Sequence, residues 1–136
     1  MAALVNRNVT LLLEKKKNFQ KITMQNFHHH FPVPAKLFPD FKALQGDKSD
    51  FVKGVDGLFR SEVIHLFMEY PSIEAFLENG QNHYLYAKIS AEKDKILINK
   101  RVATMRTDCV ITVNIEHAHL KHVYLPEKIA AKVGWN

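Results

Sequence analysis

Cysteine is nearly absent from this sequence, because Cys109 is the only one in 136 residues. A single cysteine excludes a disulfide bond within the chain. Cys109 lies in an apolar alternating segment, so we expect it to be a small buried hydrophobe. The lack of a disulfide indicates an intracellular protein in a reducing compartment, in the cytoplasm or within a particle, with an organelle as the alternative.

Long hydrophobic runs are also missing. The longest candidate, residues 9–13, falls far short of the roughly 18 residues that a membrane span requires. No small-residue cleavage site follows it, so we expect a soluble protein without a membrane span or secretory signal. Hydrophobic residues nevertheless make up 46% of the chain and charged residues 24%, which is ordinary for a folded protein whose core needs no metal or disulfide.

Familiar catalytic and nucleotide-binding patterns do not occur. The sequence has no Gly-x-Ser-x-Gly turn and no His-Glu-x-x-His pair. Gly54 and Gly57 mark a loop, but no Gly-Lys-Ser/Thr ending accompanies them, which excludes a nucleotide-binding phosphate loop. RNP and zinc-finger signatures are absent as well. We therefore expect no cofactor, and an enzyme is the less favoured class.

Acidic residues are scarce at both ends of the chain, which carries a net charge of +5. Residues 1–36 contain six Lys or Arg and one acid, and residues 81–136 contain nine and five. Residues 37–80 reverse the balance, with four basic and eight acidic residues. This division predicts a positive surface for an anionic partner and a negative surface for a basic one.

The segment 81–125 has the clearest side-chain pattern. Alternating apolar residues at 85–89 and 109–115, with β-forming residues at 96–105 between them, predict a three-stranded antiparallel meander. Cys109, Ile111, Val113 and Ile115 would form its buried face. The fold class is therefore predicted as α+β, with a helical N-terminal half packed on a three-stranded antiparallel sheet and a short C-terminal helix.

The rest of the chain divides into four further segments of one predicted domain, 1–136. An amphipathic helix is expected at 1–27, a proline-rich connector at 28–40, a helical region at 41–80 and a terminal helix at 126–136. Within the helical region, Gly46 and Pro71 are read as stops of two helices. Ser72 is read as the cap of the next.

Histidines offer the candidate metal ligands. His117 and His119 would lie on one strand face, two residues apart, which would let two imidazoles reach one ion. A third ligand is not evident. The adjacent histidines at 28–30 would point to opposite sides of an extended chain and could not chelate as a set. We predict no metal site.

Basic and aromatic side chains accompany the predicted sheet, a mixture that suits single-stranded RNA or DNA and suits solvent equally well. In that prediction, Tyr84 and Tyr86 share a strand face with Lys88. The candidate nucleic-acid-binding residues are Lys88, Lys93, Lys95, Lys100, Arg101, Arg106, Tyr84 and Tyr86.

Apolar residues near the two ends, Leu4, Val5 and Trp135, are candidate partner-binding residues. Together with the missing catalytic set they favour a non-catalytic structural or interaction subunit of a larger assembly, of the virion, phage-particle or ribonucleoprotein type. Its partners would be other protein subunits or further copies of itself. A small basic regulator that binds RNA or DNA is the alternative. A metal-independent nuclease using His117 or His119 comes third.

Overall fold

The computed structural model describes residues 2–15 and 18–110 of the chain. Their contacts divide them into two compact units, one made of residues 2–11 and 22–105 and the other of residues 12–15, 18–21 and 106–110. The regular elements, in chain order, are a 3₁₀ helix Ala2–Leu4, β1 Leu11–Lys15, β2 Asn18–Ile22, 3₁₀ helices Phe27–His29 and Ala35–Leu37, α1 Phe38–Gln45, α2 Arg60–Glu69, α3 Ile73–Asn79, α4 Tyr86–Ser90 and α5 Lys93–Ala103.

The larger unit is built around a helical core. α1 packs against α5 and α2, and α3 packs against α4. Leu44, Val63, Phe76, Ile89 and Ile96 are fully buried there, one from each of the five helices. A smaller cluster contains Ala2, Val5, Ile22 and Phe27. Burial of these apolar side chains is the main contribution to the stability of the unit.

The three helices α1, α2 and α3 lie mostly within the region 41–80, where the sequence predicts helices. α1 ends at Gly46, whose φ of 77° places it in the left-handed region that glycine adopts without strain. α2 ends before Pro71. The Ser72 hydroxyl accepts the backbone N–H of Ala75 at 3.1 Å and so caps α3.

The amphipathic helix expected at residues 1–27 is wrong, because this segment contains the β1–β2 hairpin between short 3₁₀ helices. The side chain of Asn6 accepts the backbone N–H groups of Asn8 and Val9 at 2.8 and 3.1 Å. Such local bonds offer the backbone a turn in place of a helix. The proline-rich connector is not fully extended either, since it contains two 3₁₀ helices.

The predicted meander is also wrong where it can be compared with the structure. Residues 86–90 and 93–103 are the helices α4 and α5, and the sheet in the described residues has two antiparallel strands rather than three. Leu85 and Ile89 are buried, but Ala87 between them is exposed. Burial therefore repeats at four residues, as in a helix, and not at two.

Cys109 is exposed and lies outside any strand, which corrects its expected burial. Ile111, Val113 and Ile115, together with the terminal helix expected at 126–136, fall outside the described residues. The described chain still mixes helices with a small antiparallel sheet, so the broad α+β class is confirmed. No helix in residues 2–15 and 18–110 has both the length and the apolarity needed to cross a membrane.

Candidate nucleic-acid interface

The segment that joins α1 to α2, residues 46–59, folds back on the end of α1, and we call it the 46–59 loop. The backbone N–H of Val55 donates to the carbonyl of Leu44 at 2.8 Å. Gly54 lies so close to α1 that a Cβ atom on it would stand 2.4 Å from that same carbonyl oxygen. Only glycine fits this approach, which fixes the middle of the loop, at Gly54 and Val55, against the end of the helix.

The first half of the loop is a small hairpin closed by two backbone hydrogen bonds between Asp47 and Val52, at 2.8 and 2.9 Å. The Asp47 carboxylate also accepts the backbone N–H and the hydroxyl of Ser49 at 2.9 and 2.5 Å. These bonds determine the path of the hairpin tip, residues 48–51.

Lys42 of α1 ties that hairpin to the helix. Its ammonium contacts the carboxylates of Asp47 at 2.6 Å and Asp50 at 2.7 Å. Burial disfavours the charged lysine, but the hydrogen bonds to the two carboxylates outweigh it and raise the pKa of Lys42. The bond from Lys42, with those from Ser49, holds the pKa of Asp47 well below its usual range. Lys42 and Asp47 are therefore both charged near neutral pH.

The second half of the loop is held by side chains of α4 and α5. Lys88 donates to the carbonyl of Gly57 at 2.7 Å, Lys95 to that of Gly54 at 2.9 Å, and Asn99 to that of Lys53 at 2.8 Å. Three carbonyl oxygens of the loop thus bind donors from the two helices. The loop is anchored along its length.

This anchored loop exposes two cations and two aromatic rings. Lys48 and Lys53 are exposed, and the Lys53 contact with Asp56 is 3.4 Å long between two largely solvated groups. Pairs of this kind are weak. Phe51 is 96% exposed and Phe59 is 71% exposed. The loop therefore presents two exposed lysines and two exposed rings, together with three aspartates, Asp47, Asp50 and Asp56, of which Asp47 and Asp50 contact Lys42.

A concave pocket of about 470 Å³ lies beside the loop. Arg60 lies at this pocket, with its guanidinium 5.4 Å from the centre of the Phe41 ring, a cation–π contact. The pocket is lined on the loop side by Gly46, Asp47 and Lys48, and elsewhere by His30, Phe31, Pro32, Phe38, Phe41, Lys42 and Arg60.

The N-terminus of α2 is open at the end of the loop. Phe59 occupies the N-cap position, and no side chain caps the helix there. Glu62 accepts the backbone N–H of Phe59 at 2.7 Å, but a phenylalanine ring has no acceptor to return a bond. The first backbone N–H groups of the helix thus have no acceptor from the N-cap side chain, and the Glu62 carboxylate in the same turn adds negative charge there.

The structure places three of the sequence-predicted cations in internal contacts. Lys88 and Lys95 hold the 46–59 loop, as described above. Lys100 contacts Asp40 at 2.8 Å and Glu74 at 2.6 Å. Lys93 and Arg101 of α5 are exposed, and Arg106 pairs with the exposed Asp108 at 3.1 Å. The predicted cations therefore differ in their surroundings. Lys88, Lys95 and Lys100 make contacts within the protein, whereas Lys93 and Arg101 are exposed.

The two predicted tyrosines also differ, because Tyr86 is packed and Tyr84 is exposed. Tyr86 packs against the buried ring of Phe76, and its hydroxyl donates to the carbonyl of Leu77 at 3.3 Å. Tyr84 is exposed, but its pKa is raised by partial desolvation and by the nearby carboxylates of Glu62 and Glu69. Neighbouring acids make that position less suitable for a phosphate.

The other candidates fall into two groups. Val5 is buried in the smaller core cluster and Leu4 is half-buried, so Val5 contributes to folding. Trp135, His117 and His119 lie outside the described residues. Within residues 2–15 and 18–110, no group of three or more His, Cys, Asp or Glu side chains is placed to hold a metal ion.

Sequence reasoning overlooked Lys48, Phe51, Lys53 and Phe59 as a set. The available signal was the presence of two phenylalanines in a glycine-rich polar stretch, at positions where a loop normally carries small or polar residues. Gly54 and Gly57 lack the Gly-Lys-Ser/Thr ending of a nucleotide-binding loop, but that absence excludes only this one way of binding phosphate.

Comparison with known proteins decides the family. Residues 33–125 match the family described as 5'-3' exonuclease, C-terminal SAM fold. The chain belongs to this family. The matched region contains the whole 46–59 loop and the five α-helices found in the described residues.

Several bacterial relatives carry names that agree with the family. DNA polymerase I of Caldicellulosiruptor bescii is 31% identical over 124 residues, which is 87% of this chain and 15% of the relative. The 5'-3' exonuclease of Mycoplasmopsis pulmonis is 25% identical over 96% of this chain and 45% of its own length. Flap endonuclease Xni of Psychromonas ingrahamii is 23% identical over 83% and 43%. This chain spans less than half the length of each of these three relatives.

These matches correct the predicted function. A structural subunit of a particle or ribonucleoprotein is wrong, because the family and its relatives are nucleases and DNA polymerases. The nuclease class was the third alternative from the sequence. Its proposed use of His117 or His119 stays a prediction, since neither residue lies in the described part of the chain.

Proposed function

We propose that this chain is a DNA-contacting part of a 5'-3' exonuclease, and that the 46–59 loop with the first turn of α2 contacts the DNA backbone. The observation that supports the proposal is the anchored loop, which exposes Lys48 and Lys53 to solvent and leads into the uncapped N-terminus of α2. The family match supplies the kind of ligand.

The chemistry of this surface suits phosphate. Lysine ammonium groups neutralise phosphate charge, and N–H groups at a helix N-terminus donate to phosphate oxygens without reading the sequence. Because the loop is tied to α1, α4 and α5, it loses little conformational freedom when it binds, so less of the binding energy is offset by ordering. Such a surface would position DNA in a sequence-independent way.

The proposal also replaces the partners expected from the sequence. DNA takes the place of other protein subunits, and the site lies in the 46–59 loop rather than on a sheet. An intracellular location, expected from the single cysteine, is compatible with DNA as the partner. The proposal gives no role to a particle.

The test is a salt titration of DNA binding by fluorescence anisotropy, with a short labelled duplex. We expect the double variant Lys48→Ala/Lys53→Ala to bind more weakly. The slope of log affinity against log salt should become shallower by roughly 0.9 for each phosphate contact that is lost.

Arg7→Ala/Lys36→Ala is the matched control, since it removes the same charge from two exposed residues outside the loop. It should change the slope little. Equal loss of slope in both double variants would show that only net charge matters and would contradict the proposed interface. A parallel Lys93→Ala/Arg101→Ala variant tests the sequence-based prediction for α5.

A further inference from the structure

Phe51 occupies a backbone conformation that phenylalanine rarely adopts. Its φ is 55°, in the left-handed region that glycine and asparagine tolerate best. The ring gains nothing in return from packing, since the residue is 96% exposed. Neither backbone preference nor burial accounts for a phenylalanine at this position.

Phe59 departs from local preference in a different way. It is the N-cap of α2, with φ −78° and ψ 145°, where Ser, Thr, Asp or Asn would accept a backbone N–H of the first turn. Glu62 already accepts the N–H of Phe59, so a serine at this position would complete a capping box. The ring is largely exposed here as well.

Two exposed rings at two locally disfavoured positions of one anchored loop point to a ligand. A residue type that does not suit its backbone conformation or cap position, and that gains nothing from packing, is expected mainly at functional sites. The charges around Phe51 are mixed, since Lys48 and Lys53 lie within three residues of it and Asp50 is next to it. The kind of ligand therefore comes from the proposed function, which is DNA contact, and the flat faces of DNA bases stack on aromatic side chains.

We propose that Phe51, with Phe59 as a second ring, stacks on an unpaired nucleobase of the bound DNA. This inference rests on the proposed function and adds the form of the substrate. Inside a duplex both faces of each base are covered by neighbouring bases, so a ring at the tip of a loop reaches a free face only at an end or in a single strand. The surface therefore takes DNA with an unpaired or terminal base.

The test compares wild type with Phe51→Asn, since asparagine keeps the left-handed backbone and removes the ring. The probes are a short single-stranded oligodeoxynucleotide and an abasic oligonucleotide of the same length, which keeps the phosphates and lacks the bases. We expect Phe51→Asn to bind the single strand about ten-fold more weakly and the abasic probe as tightly as wild type does. Phe51→Tyr should retain the affinity, because it retains the ring.

Stability provides a second readout that a folding defect would not reproduce. Phe51→Asn and Phe59→Ser each replace a disfavoured residue by a favoured one, so both variants should melt at or above the temperature of wild type. Phe59→Ser should also bind the single strand more weakly. Met68→Ala, which removes another exposed apolar side chain from the far end of α2, serves as the control and should leave affinity unchanged.

Two results would overturn the inference. One is unchanged single-strand affinity in Phe51→Asn while Lys48→Ala/Lys53→Ala still lowers the salt slope, which would leave the proposed function standing and remove the stacking role. The other is an equal loss of affinity for the single strand and the abasic probe. Failure of the lysine double variant to alter binding would instead contradict the proposed function itself.

Discussion

Two lysines of this chain, Lys42 and Lys100, each bridge two carboxylates with almost the same geometry. All four contacts are between 2.6 and 2.8 Å. Their surroundings differ. Lys100 reaches Asp40, whose side chain is 4% exposed, whereas the Lys42 partners Asp47 and Asp50 are 21% and 54% exposed. Equal distances thus accompany unequal burial.

The two bridges also join different parts of the larger unit. Asp40 of α1 accepts both Lys100 of α5 and the backbone N–H of Ile73 at 2.9 Å, and Lys100 also binds Glu74 of α3. This bridge connects three helices. Lys42 connects α1 to the tip of the 46–59 loop. Removing one partner of a buried pair leaves an uncompensated charge, whereas water solvates an exposed one. The first bridge should therefore support the fold and the second the site.

The largest effect is expected for Lys100→Met. It leaves the buried Asp40 carboxylate without its cation, and we expect a loss of about 3 kcal/mol in the free energy of unfolding. Urea unfolding followed by circular dichroism measures it. The double variant Asp40→Asn/Lys100→Met removes the orphaned charge and keeps an acceptor for Ile73, so it should recover part of the loss. A double variant no more stable than Lys100→Met would contradict this account.

A smaller effect is expected for Lys42→Met. Its carboxylates remain solvated, so the loss in unfolding free energy should be about 1 kcal/mol or less. The local effect should be larger, because the hairpin tip loses its tie to α1. Hydrogen exchange at the Val52 amide should accelerate while exchange at core amides such as Leu66 changes little. If Lys42→Met cost as much as Lys100→Met, burial would not be what separates the two bridges.

The separation along the chain between contacting residues explains which elements the sequence could predict. α1, α2 and α3 were predicted because their stop and cap signals, Gly46, Pro71 and Ser72, act within a few residues. α4 was mistaken for a strand because Leu85 and Ile89 suit both a two-residue and a four-residue repeat. Only the exposure of Ala87 distinguishes them, and exposure depends on the packed structure.

The candidate site was beyond sequence reasoning for a related reason. Lys95 and Gly54 are 41 residues apart, and Asn99 and Lys53 are 46 apart, yet each pair forms a hydrogen bond that anchors the loop. Such bonds appear only after the helices pack. The sequence therefore assigned Lys88 and Lys95 to a ligand, and the structure shows them bound to loop carbonyls.

The smallest effect concerns pH. The hydrogen bond from Lys42 keeps the pKa of Asp47 below its unfolded value of about 4. A carboxyl group with a lowered folded pKa stabilises the fold above the unfolded pKa, and the contribution fades as pH falls through the unfolded and then the folded value.

We expect Asp47→Asn to be less stable than wild type by a constant amount, at most about 1 kcal/mol, between roughly pH 5 and pH 8. The difference should shrink below about pH 4, where unfolded Asp47 takes up a proton. Urea unfolding of both proteins across this range provides the measurement, with Lys42→Met run in parallel as the variant that removes the largest cause of the shift. A difference that grows on acidification would show that Asp47 acts through something other than its charge, and would remove the basis for separating the exposed bridge from the buried one.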